Sequence, residues 1–136
     1  MKVVIIGGVA GGASCATRLR RLDESAEIIV IERGENVSYA NCGLPYFVGG
    51  KIEKEESLTV ASPGFLRTRF MIDVRVRSEA VGIDASAKMV RVSERDGREY
   101  DESYDKLVLA PGAAAKTFGW SGRGAVSYTH LTLPTT

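Results

Sequence analysis

Six residues, Gly7-Gly8-Val9-Ala10-Gly11-Gly12, constrain this chain more than any others. They follow Lys2-Val3-Val4-Ile5-Ile6, a continuous β-branched run that reads as a fully buried parallel strand. The text from Ala10 to Leu22 reads as a helix, and Glu27-Ile28-Ile29-Val30-Ile31-Glu32 as a second buried strand. Strand, glycine turn, helix and strand in about thirty residues imply a right-handed βαβ unit. Gly7 and Gly12 take the first and last positions of a dinucleotide fingerprint, with Val9 where the middle glycine usually stands. Ala16, four residues after Gly12, is small enough for the helix to pack close on the strand. Glu32 lies twenty residues past Gly12, where a carboxylate accepts hydrogen bonds from ribose hydroxyls. Such a turn brings backbone N–H groups and a helix N-terminus to a pyrophosphate. A P-loop is excluded, because Ala13-Ser14 follows Gly12 where that motif needs Lys-Ser/Thr. Alone, so degenerate a turn would serve many α/β proteins; with both strands, the helix and Glu32 in register, it predicts nucleotide binding.

Further along, Ser62-Pro63 reads as an N-cap with proline at the first helical position of a helix to about Phe70. Asp73–Arg77 alternates Val74 and Val76 with charged residues and is a short strand. Ala80–Ile83, Met89–Ser93 and Glu99–Tyr104 form a small antiparallel meander, with Asp96-Gly97 as the hairpin turn between the last two. Lys106–Ala110 is again a buried strand, ended by Pro111-Gly112. The expected fold is α/β and Rossmann-like: a parallel sheet with helices plus the meander.

Charge excludes some partners. Eighteen basic residues against seventeen acidic leave a net charge of +1, with no field that argues for nucleic acid or membrane. The apolar run Val3–Ile6 is far too short to span a bilayer and lacks the cleavage site of a signal peptide. The expected compartment is the cytoplasm, where two cysteines are thiols rather than a structural disulfide. No metal site is expected.

The two cysteines differ in setting. Cys15 lies mid-helix among Ala13, Ala16 and Leu19 and reads as a buried structural residue. Cys42 lies ten residues after Glu32 in Ser38-Tyr39-Ala40-Asn41-Cys42-Gly43-Leu44-Pro45-Tyr46, a polar-flanked segment interrupted by glycine and proline. Cys-Gly-Leu-Pro is expected to open a short helix with Asn41 near its N-cap, a place that favours the thiolate. Cys42 is the candidate reactive thiol, with Asn41 and Tyr46 near enough in sequence to orient it.

The glycine turn, Glu32, the Cys42 segment and Tyr104-Asp105-Lys106-Leu107-Val108-Leu109-Ala110-Pro111-Gly112-Ala113 together resemble the N-terminal part of FAD-dependent pyridine nucleotide-disulfide oxidoreductases, and within them the coenzyme A disulfide reductases. The resemblance covers about residues 1–120, and the cysteine motif is its most specific part. It implies that FAD is held by Gly7, Gly8, Val9, Ala10, Gly11, Gly12, Glu32, Arg33, Ala110 and Gly112. It also implies that Ser14, Arg18, Arg21, Ser38 and Asn41 contact coenzyme A. Ser14, Arg18 and Arg21 fall at i, i+4 and i+7 on one helix face, which in isolation reads as a solvated face. Two arginines there suit phosphates through forked, charge-assisted hydrogen bonds. Arg67 and Arg69 add charge that the sequence does not place.

Two departures narrow the implied reaction. Glutathione-reductase-like members use a second cysteine five residues on, but that position is Phe47. Single-cysteine peroxidases and oxidases of the group carry a histidine in the glycine turn, aligned with Ala10, whereas the one histidine here is His130. The resemblance therefore implies reduction of a disulfide or persulfide, with a water-forming NADH oxidase as the nearest rival and a non-catalytic nucleotide-binding or redox-sensing module as the other alternative. Electrons from NAD(P)H, carried by FAD, would reduce a mixed disulfide between Cys42 and coenzyme A. Full members continue into an NAD(P)H-binding domain and an interface domain and are expected to act as homodimers.

On that resemblance residues 1–124 are part of an FAD-binding domain. Residues 125–136, Ala-Val-Ser-Tyr-Thr-His-Leu-Thr-Leu-Pro-Thr-Thr, match the translation of a transposase-end adapter used in sequencing libraries and are expected not to be native. The 136-residue polypeptide by itself is expected to lack turnover with NAD(P)H.

Overall fold

Alternation along the first strand sorts the core into two layers. In β1 (Lys2–Ile6) Val3 and Ile5 point to one face of the sheet, and Val4 and Ile6 to the other. The computed structural model describes residues 1–113; residues 114–124 of the expected domain and the expectation for residues 125–136 lie outside them. β2 (Glu27–Ile31) runs parallel beside β1 and repeats the pattern, Ile28 and Val30 on the first face, Ile29 and Ile31 on the second. Between them α1 (Ala10–Leu22) crosses over the first face, with Gly12, Ala13 and Ala16 turned inward. Both strands are buried on two sides, which is why they read as continuous apolar runs.

The remaining elements complete three layers. β3 (Asp73–Arg75) pairs parallel with β2, and β7 (Lys106–Leu109) parallel with β1, giving the order β3-β2-β1-β7. α3 (Pro63–Phe70) joins α1 on the helical face, where Leu66 and Ile72 pack with Val3, Ile28 and Val74. Its start is the expected one: the Ser62 hydroxyl accepts the Phe65 N–H at 3.1 Å, and Pro63 follows. On the other face lies the expected meander, β4 (Ser78–Asp84), β5 (Met89–Glu94) and β6 (Glu99–Ser103), with Val90 and Val92 packed on Val4, Ile29 and Ile31. Gly97 has a φ of +90°, so the predicted Asp96-Gly97 turn has glycine where the backbone requires it. Among the described residues no helix is long and apolar enough to cross a membrane.

Two polar networks tie the layers together. Arg20, near the end of α1 and only 8% exposed, donates to the carbonyls of Glu24 at 2.6 Å, Phe70 at 2.8 Å, Met71 at 3.0 Å and Asp23 at 3.4 Å. One guanidinium thus serves the C-termini of both α1 and α3. Truncation would leave these carbonyls without their charged donor. Arg20→Ala in the full-length protein is expected to lose about 3 kcal/mol of stability, and Arg20→Lys to recover less than half of it, since an ammonium lacks the fork. Urea midpoints measure this; an unchanged midpoint for Arg20→Ala would mean that water replaces the side chain.

The second network joins the meander to the parallel sheet. Glu102 of β6 accepts from Lys2 of β1 and, at 2.5 Å, from Arg75 of β3; Arg75 also bonds Asp73 at 2.8 Å and the Tyr100 hydroxyl at 3.0 Å. Partial burial pushes the Glu102 carboxyl up, but the bonds from Lys2 and Arg75 outweigh it and hold the group below the usual carboxylate range. A carboxyl held low in the folded state adds stability that is present above its unfolded pKa, near 4.5, and is lost as pH falls through the folded value. Wild type should therefore lose stability more steeply than Glu102→Gln on acidification below about pH 5, from an advantage of about 2 kcal/mol at neutral pH. Parallel stability curves for the two proteins across that range would refute the assignment.

Candidate active site at the glycine turn

The chain leaves β1 through a turn in which backbone itself blocks a side chain at Gly7 and at Gly12. Gly7 has a φ of +94°, and a Cβ there would fall 2.0 Å from the Ala110 carbonyl oxygen at the end of β7. A Cβ on Gly12 would fall 1.7 Å from the carbonyl oxygen of Gly7. Gly11 is different, since its Cβ would meet only the Ala110 Cβ at 3.6 Å. No side chain caps α1, and no acidic residue stands in its first turn. The helix therefore offers a bare, positive N-terminus.

Glu32 follows β2 and is 8% exposed. One carboxylate oxygen accepts the Gly8 N–H and the other the Gly34 N–H, both at 2.7 Å. It thus braces the glycine turn from below while its remaining lone pairs stay available. Its backbone is held as well: its N–H donates to Arg75 at 2.9 Å, and its carbonyl accepts from Ser78 at 3.0 Å. The start of β4 is drawn in by these bonds. A small hollow of about 100 Å³ is lined by Gly7, Glu32, Arg33, Glu79, Ala80 and Pro111.

On the other side of the turn the cysteine segment is stitched to the same backbone. Ser38, at a φ of +51°, donates its N–H to Gly8 at 2.8 Å and accepts from Val60 at 3.0 Å. Tyr39 bridges Thr59, and Ala40 donates to Leu58 at 2.7 Å. Asn41–Gly43 then forms one 3-10 turn leading into α2 (Leu44–Val48), with Cys42 exposed at its centre. The short helix expected after Cys42 is present, but Asn41 is the first residue of the 3-10 turn, Ala40 takes the cap position, and no side chain caps it. Cys42 shares a cleft of about 660 Å³ with Val9, Ala10 and Ser14 of the turn and helix, and with Val60 and Phe65 across from it. Cys15, by contrast, packs against the core but is only half-buried, where its sequence setting implied full burial.

The profile of the pyridine nucleotide-disulphide oxidoreductase family matches residues 1–134. The chain belongs to that family. Among relatives, it is 41% identical over 120 residues to a coenzyme A disulfide reductase of Staphylococcus aureus, covering 88% of this chain and 27% of that protein. Among solved structures, reduced CoADR-RHD of Bacillus anthracis superposes with a TM-score of 0.81 at 49% identity, over 83% of this chain and 20% of that one. A NAD-dependent persulfide reductase from A. fulgidus gives 0.79 at 40% identity, over 82% and 21%. The chain spans about a quarter of the length of the curated relatives it matches.

In this member of the family the expected site residues separate into groups. Val9, Ala10, Ser14, Ser38, Asn41 and Cys42 line the large cleft, and Gly7, Glu32 and Arg33 the small hollow. Gly8 and Gly12 are buried supports of the turn, while Gly11 is exposed. Ala110 overlies the turn, and Gly112, exposed with a φ of +74°, follows β7. Arg18 and Arg21 are exposed on α1 beyond the cleft lining, and Tyr46 is exposed outside it. Sequence reasoning missed Glu79 and Ala80, because only the long-range return of β4 to Glu32 brings them here. It also missed the bracing role of Glu32, which depends on where Gly34 turns back. Among the described residues no group of three or more His, Cys, Asp or Glu is arranged to hold a metal ion.

The arrangement fits an extended dinucleotide. The two hollows flank Gly7–Ala10, so a molecule crossing the turn has a carboxylate at one end, a bare helix N-terminus at its centre and a thiol near the other.

Proposed function

We propose that the full-length protein reduces coenzyme A disulfide with NAD(P)H, using FAD laid across the glycine turn and Cys42 as its single redox thiol. The observation that carries this reading is the cleft shared by Cys42 and the N-terminal turn of α1. FAD would be held by Gly7–Gly12, Glu32, Arg33, Ala110 and Gly112, with Glu32 accepting from ribose hydroxyls and the helix N-terminus facing the pyrophosphate. Bound there, FAD supplies a two-electron carrier between NAD(P)H and sulfur.

The chain's own residues perform the sulfur chemistry. The Cys42 thiolate attacks one sulfur of the disulfide, so that a Cys42–coenzyme A bond forms while the S–S bond breaks and one coenzyme A thiolate leaves. Two electrons then cleave the mixed disulfide, returning the Cys42 thiolate and a second coenzyme A thiolate. The sum is one disulfide, one NAD(P)H and one proton converted to two thiols and NAD(P)⁺. Phe47 stands where an intramolecular resolving cysteine would be, so the mixed disulfide waits for the carrier instead. Ser14, Ser38 and Asn41 contact the substrate inside the cleft, and Arg18 and Arg21 continue the exposed face of α1 outward toward its phosphates. The apolar rim, with Val60 73% and Phe65 51% exposed, is covered by a second subunit of a homodimer.

Single-turnover reoxidation of the reduced full-length protein tests the reading. Coenzyme A disulfide should reoxidise it faster than coenzyme A persulfide or oxygen, with two thiols released per disulfide. Faster reoxidation by oxygen would make the protein an oxidase, and by persulfide a persulfide reductase.

A further inference from the structure

Cys42 stands on a turn that has almost no covalent breadth beneath it. Gly43, the next residue, is buried, and a Cβ added there would lie 2.6 Å from Cδ2 of Leu58 and 3.5 Å from Cδ1 of Ile52. Real Cβ atoms do not approach carbon that closely, so Leu58 fills the volume a side chain at 43 would need. Leu58 is itself 1% exposed and is delivered by a separate one-turn 3-10 helix, Glu55–Leu58. Its carbonyl accepts the Ala40 N–H at 2.7 Å, and the Gly43 N–H returns to Ala40 at 2.8 Å. Leu58 thus touches the cysteine turn twice: by backbone at the residue before the turn and by side chain at the residue after Cys42.

From this we infer that Leu58 is a positioning residue for the redox cysteine, setting the seat of the Cys42 turn over the cleft through its packing on Gly43. The inference deepens the reading of Cys42 as the redox thiol and rests on it. A methyl group at 43 obliges either the Leu58 side chain or the turn to move, and a leucine so buried has little space to yield, while loss of the leucine leaves the turn unsupported. Each change alone alters how Cys42 is presented. Together they compensate, because the shortened residue 58 makes room for the methyl.

The experiment is a double-mutant cycle in the full-length protein, reading iodoacetamide alkylation of the Cys42 peptide by mass spectrometry from pH 5 to 9. Gly43→Ala and Leu58→Ala should each shift the Cys42 alkylation rate at least about threefold or displace its pH profile, and Gly43→Ala/Leu58→Ala should return within about twofold of wild type. Arg20→Ala, which weakens the fold away from this turn, should leave the profile unchanged. If Gly43→Ala does not fold, a folded double variant with a wild-type profile still supports the coupling. Single variants with wild-type profiles, a double variant no closer to wild type than either single, or a double variant that fails to fold would overturn it. Failure of the redox reading is separate: it appears as disulfide turnover that survives Cys42→Ser, whatever the alkylation cycle shows.

Discussion

Gly12→Ala is expected to cost the full-length protein more than about 4 kcal/mol of stability, the size seen when backbone itself must give way. The added Cβ would lie 1.7 Å from the Gly7 carbonyl oxygen and 3.2 Å from Ile5 Cγ2. Neither obstacle is the loose end of a long side chain. Relief requires moving α1 off β1, and that breaks the packing of Ala13 and Ala16 on the sheet. Gly11→Ala, one residue earlier, makes the opposite forecast. Its Cβ meets only Ala110 at ordinary contact distance, and alanine is the better helix former by about 0.5–1 kcal/mol. Chemical denaturation of the cofactor-free protein compares the two directly. If both variants unfold at the same midpoint, the close approach at Gly12 does not exist in solution.

Cys42→Ser in the flavin-loaded full-length protein is expected to lower turnover with coenzyme A disulfide by about 10³-fold or more. The serine hydroxyl cannot form the mixed disulfide on which the proposed chemistry depends, and its oxygen is a far poorer nucleophile at neutral pH than a thiolate. Flavin content should stay at the wild-type level, because Cys42 lies exposed on its turn and braces nothing. Cys15→Ser should keep turnover within about twofold and show its effect in stability, about 1–2 kcal/mol for a hydroxyl placed against the core. Steady-state oxidation of NAD(P)H with flavin absorbance alongside measures both. Turnover that survives Cys42→Ser would remove this cysteine from the chemistry.

The parallel sheet and its first helix were legible because their signals are local. The bounds of α1 and the Ser62-Pro63 start of α3 come from glycine, proline and a capping hydroxyl, whose conformational demands act within one turn. The meander was legible through its alternation and the Asp96-Gly97 turn. Strand ends were read long at Glu32, Arg77, Tyr104 and Ala110, and the first two meander strands were read short of Ser78, Asp84 and Glu94. At the site, Cys42 and Ser14 meet as a helix face and a following loop should. What no local pattern discloses is the far side of each hollow: Val60 and Phe65 opposite the thiol, Glu79 and Ala80 opposite Glu32. Arg20 was equally hidden, since two of its four carbonyl partners, those of Phe70 and Met71, become neighbours only when α1 and α3 lie side by side.

The strand order also sets a timetable. β1 precedes the other described strands along the chain, yet it is an interior one: Val3 pairs with Ile28 on one side and with Lys106 on the other. The second pairing closes a loop about four times longer, an added entropic cost of about 1.2 kcal/mol. At about 5–20 residues per second, translation leaves a delay of about 4–15 s between the arrivals of β2 and β7. Throughout that interval the edge of β1 that Lys106–Leu109 covers in the finished fold, at Val3, Val4, Ile5 and Ile6, lacks its partner strand. Newborn chains of this protein should therefore be captured by chaperones that favour exposed strands, and codons between β2 and β7 set how long the capture lasts.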